Sequence, residues 1–344
     1  MQSRMFRRLF LLSTAGLAGG LPGFADAMDP TAAPAAHTNP VTYEVTQRIT
    51  VTNRDVSALD LLELNLPIPL DFPEQEVGPV EVMGDRTFRL RDVEGLGMIA
   101  RSIYRQGALP TPGESKSLAL AYRLTCKEFH SDAKILSARS YEPYDRRSRD
   151  YRLYTKSEKL IEADAKEITS LAAELGARTN GPYRFARAAY DYVVDHTDYV
   201  SPSPSHGARE CLVNGKADCG SYVALFVALC RAGGVPARPV AGCWALGENQ
   251  WHCWAEFLLP SEGWIPVDPS VGDRGPQERE HYFGNLDNNR VALAKTFNLT
   301  VQTTDGSREL GFVQVGTWWW YPSPGSTGSQ MVVQHHFFGK KAPD

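Results

Sequence analysis

The sequence predicts an α+β chain, with helices packed on an antiparallel sheet and a β-sandwich-like domain ahead of them. Three observations predict it. Short β-branched segments with alternating polarity, punctuated by Pro and Gly, fill residues 41–125. Helical periodicity follows from 157 to 232. Three more strand-like segments then come at 237–245, 250–259 and 264–268.

The elements follow in order. Residues 1–27 read as an export signal of twin-arginine type: Arg4, Arg7 and Arg8 precede a short apolar run from Leu9 to Leu17, and Ala25-Asp26-Ala27 offers a cleavage site. Phe6 stands where Ser or Thr is usual before the arginines, so the general secretory route is the other reading. The apolar run is too short and too glycine-rich for a membrane anchor, and no later segment offers about 18 consecutive apolar residues. Residues 28–40, rich in Ala, Pro and Thr, read as a flexible lead. Strands are expected at 43–51, 60–66, 78–83, 86–92, 98–104 and 117–125, giving a β-sandwich-like domain over 41–125. The polar stretch 126–156 reads as a linker.

Within 157–290 the pattern turns helical. Ser157 can cap a helix with Leu160, Ile161, Ile168, Leu171, Ala172 and Leu175 inward, stopped by Gly176. Gly181-Pro182 opens a second, with Phe185, Ala188, Ala189, Tyr192 and Val193 inward. A third runs from Asp218 to Ala232 and stops at Gly233-Gly234, with Pro236 beyond. Residues 291–344 read as a C-terminal β extension with strands at 299–304, 310–315 and 330–338.

Composition narrows the function classes. Hydrophobic residues are 42% and charged residues 22%, the balance of a folded chain. The net charge of −4 gives no general attraction to nucleic acid or anionic lipid. The basic run Arg146, Arg147, Arg149 and Arg152 reads as a solvated loop. Six cysteines could pair in an exported protein, but there is no CxxC and no His/Cys cluster with zinc-ligand spacing. No acidic loop has calcium-ligand spacing. No metal or cofactor is expected.

Cys219 falls in the first turn of the third helix, where partial positive charge and free N–H groups favour a thiolate, the reactive form of cysteine. Asp218 is a good N-cap, although its charge works against a low thiol pKa. Gly220 leaves room for a substrate. On the strand 251–257, His252, Trp254 and Glu256 share one face, while Trp251, Cys253, Ala255 and Phe257 share the other. Asp268 ends the next strand, after the Ser261-Glu262-Gly263 turn, so an antiparallel pairing brings it near the imidazole. Each residue also has a bland reading: a buried inert thiol, a core histidine, an Asp-Pro turn. The joint pattern is what points to a nucleophile, a base and an orienting carboxylate.

Residues 211–269 carry four blocks in order: Ala217-Asp218-Cys219-Gly220-Ser221-Tyr222, Gly233-Gly234-Val235-Pro236-Ala237-Arg238, His252-Cys253-Trp254-Ala255-Glu256, and Gly263-Trp264-Ile265-Pro266-Val267-Asp268-Pro269. In these the chain resembles the transglutaminase-like superfamily. The resemblance implies a papain-like transglutaminase core and a Cys-His-Asp triad at Cys219, His252 and Asp268. It also implies a thioester mechanism on a carboxamide or peptide bond of a peptide or protein substrate. Hydrolysis is favoured over cross-linking. Where some members use a Trp upstream of the cysteine for the oxyanion, this chain has none; Tyr199 is the candidate substitute, with a core aromatic at a helix end as its other reading. Ala217 stands where many members have Gly. Two other readings are a non-catalytic exported binding or scaffold protein on the same fold, and acyl transfer to a small arylamine, whose motifs fit less well. Arg238 reads as an ion-pair partner of Glu256 or as a substrate carboxylate binder. The run Trp318-Trp319-Trp320-Tyr321 reads as packing in a half-buried strand, with exposed rings for carbohydrate or peptide contact as the other reading.

Overall fold

The computed structural model describes residues 35–303 and 306–343. The export signal and the start of the lead lie outside them.

The strand-rich N-terminal region begins at once. β1 spans Ala35–Asn53, β2 Leu59–Ile68, β3 Met98–Tyr104 and β4 Ser115–Ser131. β1 pairs antiparallel with β4 from Ala35↔Ser131 to Thr52↔Ser115. Residues 35–38 are therefore paired strand and not flexible lead, because they are matched along β4. The shift in register between Thr38 and Val41 absorbs Pro40, which has no N–H to give the ladder. β2 pairs with β3 in a second sheet. Tyr43, Ile49 and Val51 of β1, Leu62 and Leu64 of β2, and Leu118 and Leu120 of β4 meet in one core, the alternating inward sets of a sandwich.

The expected linker is more ordered than its polarity suggests. Residues 126–131 complete β4, and two short helices follow, Ala133–Ala138 and Arg149–Tyr154, capped by Asp132 and Ser148. α1 spans Lys166–Ala177, not the stretch starting at Ser157. Leu160 takes a φ of 69°, which no helix accommodates, so its apolar neighbours join the core from an irregular segment. α2 is Pro182–His196, with Pro at its start, and α3 is Cys219–Ala232. Every residue of α3 from Gly220 to Arg231 is buried, as in a helix at the centre of its domain.

α3 lies on a four-stranded antiparallel sheet. Its strands are β5 (Ala237–Trp244), β6 (Trp251–Leu259), β7 (Gly263–Val267) and β8 (Arg290–Ala294), in the order β7-β6-β5-β8. Cys253, Ala255 and Phe257 face the helices, in one cluster with Val223, Phe226 and Val227. Gly242 permits this packing: a Cβ there would stand 2.2 Å from the Val291 carbonyl oxygen and 2.8 Å from the Trp254 ring. Both neighbours are fixed, one by backbone and one by burial. Gly242→Ala is expected to cost about 3 kcal/mol or more through overpacking, read as a lower thermal midpoint. An unchanged midpoint would mean that β8 yields freely.

The C-terminal strands do not form a separate extension. β8 belongs to the helix-backed sheet. β9 (Thr317–Pro322) pairs with β2, and β10 (Met331–Lys341) pairs with β1 from Tyr43↔Lys341 to Asn53↔Met331. The sandwich is built from both ends of the chain. The expected strand at 310–315 stops at Gly311, and the chain turns at Phe312 with a φ of 53°. In β9, Trp319 and Trp320 are half-buried, while Trp318 and Tyr321 are exposed.

Candidate active site

Cys219 opens α3. Asp218 is its N-cap and accepts the Ser221 N–H through Oδ1 at 3.2 Å. β6 delivers His252, paired with Gly242 of β5. Asp268 comes one residue after Val267, which pairs with Ala255. The register thus leaves Asp268 diagonal to His252 on the neighbouring strand, and the two side chains meet: His252 Nε2 lies 2.6 Å from Asp268 Oδ2. An ionised carboxylate only accepts, so Nε2 carries the hydrogen and Nδ1 is left for the thiol. The Cys219 thiol is within hydrogen-bonding reach of the His252 imidazole and of Cys253. The three residues chosen from the sequence therefore meet in space.

Asp268 is fully buried, and both of its oxygens are engaged. Oδ2 also accepts Arg290 Nη1 at 2.6 Å. Oδ1 accepts Ser270 Oγ at 3.1 Å and the Val271 N–H at 3.1 Å, so the same carboxylate caps the short helix Pro269–Gly272. Burial alone would raise its pKa. The His252 and Arg290 charges overcome this and hold it well below the usual carboxylate range.

The pKa of His252 is raised to about 9. Burial works against the imidazolium, and the charge of Asp268, its hydrogen bond and the Cys219 thiol outweigh it. The Cys219 thiol is pulled well below its usual value, first by a hydrogen bond from the Cys253 thiol and then by His252, against burial. Cys253 moves the other way, with burial as the main cause. Of the two thiols, Cys219 is the thiolate, because it adjoins the imidazolium and Cys253 is sunk in the apolar core.

Two residues of the site escaped sequence reasoning. Arg290, at the start of β8, bonds Asp268 and pairs with Asp287 at 3.1 Å. Trp244, at the end of β5, is its cross-strand partner. The Arg290 guanidinium lies 4.3 Å from the Trp244 ring centre, and the His252 imidazole stacks on that ring at 4.6 Å and 15°. The indole roofs the His252–Asp268–Arg290 cluster and limits its hydration. The cross-strand pairing of Trp244 and Arg290, 46 positions apart in the numbering, leaves no local pattern to read.

The two remaining sequence choices fare differently. Tyr199 pairs across from Ala217, beside Cys219, and is 52% exposed; burial and the nearby Cys219 raise its phenol pKa. Gly220 does not leave open room. The Phe312 ring fills the space above it, since a Cβ there would come 2.9 Å from Phe312 Cζ. Arg238 ion-pairs with Glu256 at 2.7 Å and lies over Trp264 at 3.8 Å. Among the described residues no group of three or more His, Cys, Asp or Glu is placed to hold a metal ion. No helix among them is long and apolar enough to cross a membrane.

Residues 169–269 match the family model of the transglutaminase-like superfamily. The chain is similar in fold to the crystal structure of "a Putative Cysteine Protease from Cytophaga hutchinsonii", with a TM-score of 0.59 and 16% identity over 88% of this chain and 92% of that one. The periplasmic domain of TgpA from Pseudomonas aeruginosa matches at a TM-score of 0.37 and 16% identity, over 70% of this chain and 90% of that one. A curated Haemophilus influenzae protein described as "Uncharacterized protein" is 32% identical over 25% of this chain and 34% of its own length. The chain thus spans about a third of that curated relative.

Proposed function

We propose that this chain, whose residues 169–269 match the transglutaminase-like superfamily, is an exported amide or peptide hydrolase working through a Cys219 thioester. The observation that carries the reading is the buried relay Arg290–Asp268–His252 ending on the partly buried Cys219 at a helix start.

Cys219 acts as the nucleophile on a carboxamide or peptide carbonyl. Its first-turn N–H and the Tyr199 hydroxyl are the donors for the oxyanion. The C–N bond breaks, the amine leaves with the His252 proton, and a thioester remains. His252, now neutral, takes a proton from water as it attacks. The acid leaves, and the thiolate–imidazolium pair is restored. A peptide or protein substrate fits this chemistry, and water is favoured as acceptor over a second amine. The sequence of residues 1–27 supports the export part of the reading.

The test is alkylation of folded protein. Iodoacetamide is expected to modify Cys219 selectively, at a rate that persists well below pH 8, since the thiolate survives there. Turnover of an amide substrate is expected to fall as pH rises through about 9, where His252 loses the proton the leaving amine needs. His252→Ala should abolish the fast labelling. Labelling at the rate of an ordinary thiol would leave a binding protein on this fold.

A further inference from the structure

A second opening adjoins the start of α3. A cleft of about 480 Å³ runs along the face bearing Gly220, Ser221 and Ala224, walled by Leu160, Phe297 and Phe312. Two of these walls sit in left-handed backbone, Leu160 at φ 69° and Phe312 at φ 53°. Bulky side chains rarely adopt that region, because Cβ crowds the backbone. Such strain survives only where neighbours enforce it, and it gathers at ligand clamps.

The enforcing contacts are visible. Phe312 packs on Phe297 with ring centres 5.0 Å apart, and its tip closes over Gly220. Leu160 lies so close to Gly207 that a Cβ on Gly207 would stand 2.9 Å from the Leu160 Cα. Two strained apolar residues from distant segments thus line one cleft, next to the proposed nucleophile. Asp218 and Gly220, the chain neighbours of Cys219 on either side, both line it, with Lys159 and His206.

Resting on the thiol chemistry above, we infer that this cleft receives an aromatic or branched apolar side chain of the substrate, flanking the carbonyl that Cys219 attacks, and that Phe312 sets the preference. The region that supplies Phe312 lies beyond the core segment shared with the family, so the preference belongs to this chain's C-terminal part.

Two alkylating probes test it on the folded chain: N-benzyl-iodoacetamide and plain iodoacetamide. In both, the Cys219 sulfur displaces iodide. Modification of Cys219 is followed by peptide mass spectrometry, and each rate is divided by the same reagent's rate with glutathione. The benzyl-to-plain ratio is expected to be about 10 or more in the wild type. It should fall toward 1 in Phe312→Ala and stay high in Phe312→Leu. Ala224→Leu, which fills the cleft from the helix side, should also lower it. A wild-type ratio near 1, or one that Phe312→Ala and Ala224→Leu both leave intact, overturns the inference. The ratio is defined whether Cys219 reacts fast or slowly. Slow reaction with both probes sinks the enzymatic reading; a flat ratio sinks the cleft.

Discussion

Asp268→Asn is expected to lower amide turnover by about 10³- to 10⁴-fold while the chain stays folded. The carboxylate accepts from four donors, and one of them is His252 Nε2 at 2.6 Å. An amide can present its NH₂ to that nitrogen instead. The ring then keeps its hydrogen on Nδ1, facing Cys219, where it cannot take a proton from the incoming water. The negative charge that raises His252 to about 9 is also lost, so the alkaline limb of the rate profile should move to lower pH. Rates on a glutamine-peptide substrate across pH, with circular dichroism as the folding control, decide it. Turnover within tenfold of wild type, with an unmoved limb, would show that Asp268 does not set the imidazole.

Arg290→Met is the second large effect, and it falls on stability first. The guanidinium is buried and neutralises Asp268 at 2.6 Å and Asp287 at 3.1 Å. Removing one partner of a buried charge pair leaves the other desolvated and unpaired, which costs about 3–5 kcal/mol. Methionine keeps much of the volume, so most of the loss is electrostatic. Asp268, with its folded pKa held low, contributes stability that is present above its ordinary pKa near 4 and lost as pH falls through the folded value. Without Arg290 the folded pKa of Asp268 rises, so this contribution should be smaller and should be exhausted at higher pH. The imidazolium, freed from a neighbouring cation, should hold its proton more tightly, so the alkaline limb should rise above about 9. Denaturant titration at several pH values and the rate profile read the two effects separately. A lower midpoint with an unmoved limb would make Arg290 a brace and not a positioning residue.

These two predictions differ in what made them possible. Asp268 could be chosen before any coordinates, because the turn at 261–263 and the alternation of β6 and β7 fix which residues meet. Arg290 could not. It reaches Asp268 by way of the β5–β8 pairing, and that pairing contains an irregularity between Ala241 and Gly242 that no periodicity signals.

The sequence by itself determined the elements whose causes are local. It determined a helix capped by Asp218 and stopped at Gly233, the adjacent strands that present His252 and Asp268, and the family they resemble. Capping, stop residues and short-turn register act within a few positions, so they can be read directly. Only the tertiary structure decided that β10 closes the sandwich on β1, that Trp244 and Arg290 complete the carboxylate's surroundings, and that Phe312 closes over Gly220. Each of these joins segments far apart in the chain. Their partners are selected by what remains to be buried, neutralised or paired after the local elements have formed, and that choice exists only in the packed molecule.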